Sequence, residues 1–187
     1  MEDEPIIEDA VRKAAETFYV MLEGFYPARG DNGFCERNLT FQFAHAFVSM
    51  EKQRCAFMEV PWCHAESDRW IKRIDGYVFT PEIGIFIECK QIYQKRKADA
   101  LLADLERLSH TSLTRVINEF TRLAPKNHQH PKKFYALGLA ESWNADVTRW
   151  YSIFKDYRVN SLIVKTFEWK KQNRLQWIYA YKQIDVL

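Results

Sequence analysis

The sequence predicts an α/β fold in which a central mixed β-sheet, built around a three-stranded meander, is flanked by α-helices. Three observations lead there. Apolar residues recur at helical spacing in two N-terminal stretches. Three strand-like runs then follow one another across residues 54–92. A long helical period over residues 98–120 leads to one further apolar run at 134–140. A meander, a crossover helix and another strand together make a mixed sheet with helices on both faces.

Each element has its own signal. Over residues 5–25, Ile7, Val11, Ala14, Phe18, Met21 and Phe25 mark one face of an amphipathic helix, and Pro5 suits its first turn. The turn-forming stretch 27–33 ends it. A second helix is expected over 34–51, with Leu39, Phe43, Ala46 and Phe47 inward and Glu36 one turn earlier on the same side. Strands are expected over 54–62, 70–79 and 83–92, the last two joined by a Thr80-Pro81-Glu82 turn. The helix over 98–120 carries Leu102, Leu105, Leu108, Val116, Ile117 and Phe120, just after the basic run Lys95-Arg96-Lys97. Residues 134–140 read as a buried strand, 145–154 as a short helix carrying Trp150, and 162–169 with 175–184 as a C-terminal hairpin.

Composition narrows the class. With 187 residues, 47% hydrophobic and 28% charged, the chain is expected to form one domain with its own core. No apolar run is long enough for a membrane span, and the acidic start Met1-Glu2-Asp3-Glu4 is unlike a secretory signal, so a cytoplasmic location and no membrane association are expected. Cys35, Cys55, Cys63 and Cys89 make no C-x-x-C pair and are expected to be reduced and mostly buried. Cys63-His64 lacks a second ligand pair at zinc spacing. A net charge of only +2 means that any nucleic-acid surface must come from local segregation of charge.

The chemistry concentrates on the two neighbouring strands. Side chains alternate along a strand, so Glu88 and Lys90 project from one face while Ile85, Ile87 and Cys89 project from the other. The hairpin brings Asp75 alongside them. Two carboxylates and an ammonium at the end of an apolar hairpin are costly to bury unless a divalent cation compensates. The alternative is that Asp75 begins a turn and Glu88 pairs with Lys90 on an exposed edge, which leaves the apolar flank Ile85-Phe86-Ile87 unexplained.

Asp75, twelve residues, then Glu88-Cys89-Lys90 resembles the PD-(D/E)XK nuclease superfamily, with its restriction-endonuclease-like fold; Ile74 stands where the name's proline would be. The likeness in order of elements runs over roughly 36–141, and residues 1–187 are expected to form one such nuclease domain. The resemblance implies a Mg²⁺-dependent deoxyribonuclease, an endonuclease, with Mn²⁺ able to substitute and 5′-phosphate and 3′-hydroxyl products. It implies metal coordination by Asp75, Glu88 and the Cys89 carbonyl, and a Lys90 that orients or deprotonates the attacking water and stabilises charge on the phosphate. Glu36 fits the glutamate that many members carry on the helix before the meander; its alternative role is a first-turn acid favoured by the helix dipole. Glu59 is a rival acid whose phase leaves its face open, and Gln91, opposite in phase to Lys90, is at most supporting.

DNA is the expected partner, with RNA as the alternative. Lys72, Arg73 and the Lys95-Arg96-Lys97 run, interleaved with Trp70 and Tyr93, are the expected phosphate contacts, against the alternative of a solvated charge run. The segment 127–133, with His128 and His130, reads as a polar loop, and Trp143, Trp150, Trp169 and Trp177 as core or partner-facing residues. A chain this short has little room for a separate recognition domain, so a homodimer or a partner protein is expected. A second reading keeps the fold but makes the chain a non-catalytic nucleic-acid-binding or assembly subunit. A third makes the motif accidental and the chain an unrelated α/β interaction protein.

Overall fold

The computed structural model describes residues 4–24, 36–51, 53–63, 70–108, 117, 130–143, 147–166 and 174–185, without the side chains of 62, 63, 70–72 and 166. Chain order is α1 (Glu4–Gly24), α2 (Glu36–Met50), β1 (Cys55–Cys63), β2 (Trp70–Phe79), β3 (Ile83–Gln91), α3 (Lys95–Leu108), β4 (Lys133–Ser142), a 3₁₀ turn (Thr148–Phe154), β5 (Arg158–Thr166) and β6 (Arg174–Ile184). The described strands form one six-stranded sheet in the order β1-β2-β3-β4-β6-β5. All neighbours are antiparallel except β3 and β4, which run parallel because α3 lies between them in the chain.

β3 is interior, and its residues from Ile83 to Cys89 are all buried, as expected of a strand covered on both faces. Ile85, Ile87 and Cys89 join Leu137, Leu139, Trp177 and Tyr179 under α1 and α2, where they meet Phe18, Leu39, Phe43 and Phe47. Phe86, Ala136, Ala140 and Ile178 face the other way, under α3 and the 3₁₀ turn, against Leu101, Leu105, Trp150 and Phe154. The phase expected for β3 is therefore the phase observed.

Two close approaches set the helices on the sheet. A Cβ on Gly76 would come within 2.7 Å of Thr40 Cγ2, so α2 can lie directly on β2 beside Asp75. A Cβ on Gly138 would come within 2.9 Å of Leu105 Cδ1, which lets α3 settle over β4.

Several expectations need correction. The run Lys95-Arg96-Lys97 is the first turn of α3 rather than a segment before it; the Lys97 N–H already donates to the Gln94 carbonyl at 3.0 Å. Described helix ends at Leu108, and the expected continuation to residue 120 lies outside the described residues except for buried Ile117. The short helix is a 3₁₀ turn beginning at Thr148. The first arm of the C-terminal hairpin begins at Arg158, four residues before the expected start, and the second arm enters the sheet between β4 and the first. Cys89 is buried and free, whereas Cys55 is free and exposed because it opens the edge strand β1. Cys35, His64, His128 and Trp169 lie outside the described residues, as does the side chain of Cys63. Among the described residues no helix is long and apolar enough to cross a membrane.

Candidate active site

The β2–β3 hairpin aligns the candidate residues. Thr80 Oγ1 accepts from the N–H groups of Glu82 and Ile83, both at 3.1 Å, and the Thr80 N–H donates to the Ile83 carbonyl at 2.8 Å. This closed turn fixes a register that runs from Phe79↔Gly84 to Gly76↔Ile87 and then stops. The next position would set Asp75 level with Glu88. There the strands part, and Asp75 Oδ2 accepts the Cys89 N–H at 2.8 Å, a bond from side chain to backbone where the ladder ends.

Glu88 and Lys90 point to the α3 side, as their phase predicts, but neither pairs with the other. Arg107 Nη2 donates to Glu88 Oε1 at 2.8 Å, Lys90 Nζ meets Asp104 Oδ2 at 2.9 Å, and Arg107 Nη1 meets Asp104 Oδ1 at 2.7 Å. Glu88 is only 3% exposed. The exposed-edge reading of Glu88 therefore fails, because β3 is interior and the residue is buried.

The electrostatics follow from this crowding. Burial, then the charges of Asp75 and Asp104, push the Glu88 carboxyl up to about 8 against the opposing pull of Arg107 and Lys90. Burial also raises Asp75, although the Cys89 N–H partly holds it down. Burial pulls Lys90 down, but the bonded Asp104 with Glu36 and Glu88 outweighs it, so the ammonium is held above its ordinary value.

Glu36 stands at the first turn of α2, half-buried on the rim. Its Oε1 accepts the Gln91 N–H at 3.3 Å and lies 3.8 Å from Lys97 Nζ. Gln91 turns its side chain to the opposite face, as expected, where Nε2 donates to Glu141 Oε1 at 3.4 Å. The rival acid Glu59 has a defined place. The β1–β2 ladder pairs Met58↔Gly76 and Val60↔Ile74, so Glu59 lies opposite Asp75. Its backbone is left-handed, with φ of 55°, a conformation that costs a non-glycine residue about 1 kcal/mol or more. Arg37 Nε holds its carboxylate at 3.3 Å. Arg37, Thr40, Met58, Glu59, Arg73 and Asp75 line a cleft of about 500 Å³.

The expected phosphate contacts divide. Arg73 is exposed and borders this cleft. The Lys72 side chain lies outside the described residues. Lys95 pairs with Asp99 at 2.9 Å, Arg96 is exposed, and Lys97 sits between Glu36 and the Tyr93 ring, 5.9 Å from its centroid.

Three residues escaped the sequence reading. Asp104 falls at an apolar position of α3, in phase with Leu101, Leu105 and Leu108; a charge inside that stripe was the available signal. Arg107 follows it by one turn. Glu141 ends the apolar run of β4 in phase with Leu137 and Leu139, and burial pushes its carboxyl up to about 7 although Trp143 Nε1 donates to it at 2.6 Å.

Among the described residues no group of three or more His, Cys, Asp or Glu side chains is gathered as a metal shell. The donors that suit a hard divalent cation are the two carboxylates Asp75 and Glu88, whose mutual repulsion and burial a cation would relieve. Comparison of the chain with protein-family models, with curated proteins and with solved structures finds no match, so function is argued from this geometry.

Proposed function

We propose that the chain is a nuclease of the restriction-endonuclease-like fold that hydrolyses phosphodiester bonds of DNA with Mg²⁺, Mn²⁺ being able to substitute. One observation carries the reading. Asp75 stands where β2 and β3 part, bonded to the Cys89 N–H next to Glu88; both carboxyls have their proton affinity raised by burial, and Lys90 is close enough for its charge to act on both. The succession of two helices, a meander, α3 and a strand parallel to β3 supports the same fold.

Asp75 and Glu88, with the Cys89 carbonyl, would hold the metal, Glu88 first giving up Arg107. The bound ion would supply a nucleophilic water at neutral pH and relief of charge on the phosphorane. Lys90, charged in this arrangement, is suited to orient that water and to stabilise developing negative charge. A charged ammonium has no lone pair to take a proton, so electrostatic stabilisation is the role its surroundings favour. Exposed Arg73 at the cleft and exposed Arg96 on α3 would meet backbone phosphates.

A second reading has a specific observation in its favour. Arg107 already occupies Glu88 Oε1 at 2.8 Å, so the same fold can serve as a non-catalytic nucleic-acid-binding or assembly subunit. Incubation of the purified chain with labelled linear, nicked, branched and single-stranded DNA and with RNA, with and without Mn²⁺, separates the two. Metal-dependent cleavage lost in Asp75→Ala supports the nuclease. Binding without cleavage under every condition supports the subunit.

A further inference from the structure

α3 brings to the Glu88 and Lys90 face two charged side chains that lie outside the Asp75, Glu88, Lys90 pattern. Lys90, Asp104, Arg107 and Glu88 form a chain of alternating charge with contacts of 2.9, 2.7 and 2.8 Å. Each side chain in it is at most 22% exposed. A lysine ammonium rides on a flexible stem and spreads over many rotamers unless something holds it. Asp104 can hold it firmly because both carboxylate oxygens are used: Oδ2 takes Lys90, and Oδ1 is itself fixed by the Arg107 guanidinium. The contact is also set by the fold, since α3 is seated over the sheet through Leu101 and Leu105 at Gly138.

We propose that Asp104 is the positioning residue for Lys90, fixing the ammonium beside Asp75 and Glu88, with Arg107 fixing Asp104 in turn. This rests on the nuclease reading for its catalytic consequence, not for the contact itself. Asp104 holds Lys90 and Arg107, not Asp75, so its loss leaves the Asp75 carboxylate and its Cys89 bond in place.

The test uses the full chain as wild type, Asp104→Ala and Asp104→Asn. Three quantities are read: single-turnover cleavage with Mn²⁺, Mn²⁺ affinity by calorimetry, and acylation of each lysine by an N-hydroxysuccinimide ester, followed by mass spectrometry. Asp104→Ala should cut about 10- to 100-fold more slowly with little change in KM, and Mn²⁺ affinity should fall by clearly less than the rate, any fall reflecting Arg107 released toward Glu88. Lys90 should acylate several times faster while the other lysines do not change. Asp104→Asn, which keeps one acceptor oxygen, should lie between and also serves if the alanine variant does not fold. A wild-type cleavage rate in Asp104→Ala, or a loss of metal affinity as large as the loss of rate, overturns the proposal. If the wild-type chain cuts none of the substrates, the nuclease reading falls by itself. The acylation arm then decides the contact: unchanged protection of Lys90 in both variants overturns it, and faster acylation upholds it.

Discussion

Asp75 accepts the Cys89 N–H at 2.8 Å at the point where the β2–β3 ladder stops, so one carboxylate both closes the backbone bonding there and lies close enough to Glu88 to raise its proton affinity. Its Oδ2 serves the strand, and on the proposed reading Oδ1 would be the oxygen to meet a cation. This ties the geometry of the candidate metal ligands to a backbone bond rather than to side-chain packing alone.

Asp75→Asn and Glu88→Ala should each abolish metal-dependent cleavage. Asp75→Asn keeps an acceptor for the Cys89 N–H, while Asp75→Ala forfeits a bond worth about 0.5–1.5 kcal/mol. Removing one of two like charges works against that loss. Thermal midpoints by circular dichroism should therefore move by only a few degrees in either Asp75 variant. Wild-type cleavage in Asp75→Asn and Glu88→Ala would remove the metal-site assignment.

Lys90→Ala should slow single-turnover cleavage by about 10² to 10⁴. Mn²⁺ affinity should hold or rise, because a competing positive charge has gone. Calorimetric titration beside the cleavage assay at saturating metal checks both. A variant that loses metal binding altogether would move Lys90 from chemistry to coordination and return attention to Glu59 and Glu36 as the groups handling the proton.

Replacing Lys95, Arg96 and Lys97 together by alanine should weaken DNA binding and flatten its salt dependence, by about 0.9 in log-log slope for each phosphate that is no longer neutralised. Lys95 already has Asp99, and Lys97 lies near Glu36, so Arg96→Ala alone should account for most of the change. Filter binding across a range of salt concentrations measures the slope. An unchanged slope in the triple variant would assign the run to solvent.

The buried carboxyl of Glu141 makes a pH prediction. Its folded value is pushed up to about 7 from an ordinary 4.5, so the folded chain binds the proton more tightly than the unfolded one. Its contribution to stability is fully present below about 4.5 and is lost as pH rises to about 7, at roughly 1.4 kcal/mol per unit. Glu141→Gln, which keeps an acceptor for Trp143 Nε1, should flatten that part of the curve. Glu88, pushed up to about 8, adds a slope over the same range, so urea unfolding at pH 5, 6 and 7.5, with chelator present, is read as the difference between wild type and variant; a slope equally steep in both would remove Glu141 from it.

Short-range pattern was enough for much of this molecule. Alternation along β3 placed Ile85, Ile87 and Cys89 against one core and Glu88 with Lys90 on the other face, because a strand's side-chain period needs no knowledge of its neighbours. The Thr80-Pro81-Glu82 turn likewise implied a hairpin that brings Asp75 to Glu88, since a closed turn sets the register of both arms. What the pattern left open was decided by tertiary structure. Glu59 lies opposite Asp75 only because β1 pairs with β2 in one register, and its left-handed backbone has no signature in residue type. Arg107 reaches Glu88 and Asp104 reaches Lys90 only because α3 crosses over the sheet at Gly138. Periodicity tells which way a side chain faces on its own element; which charge it meets depends on how separate elements pack, and the packing is settled by the buried surfaces of the whole sheet.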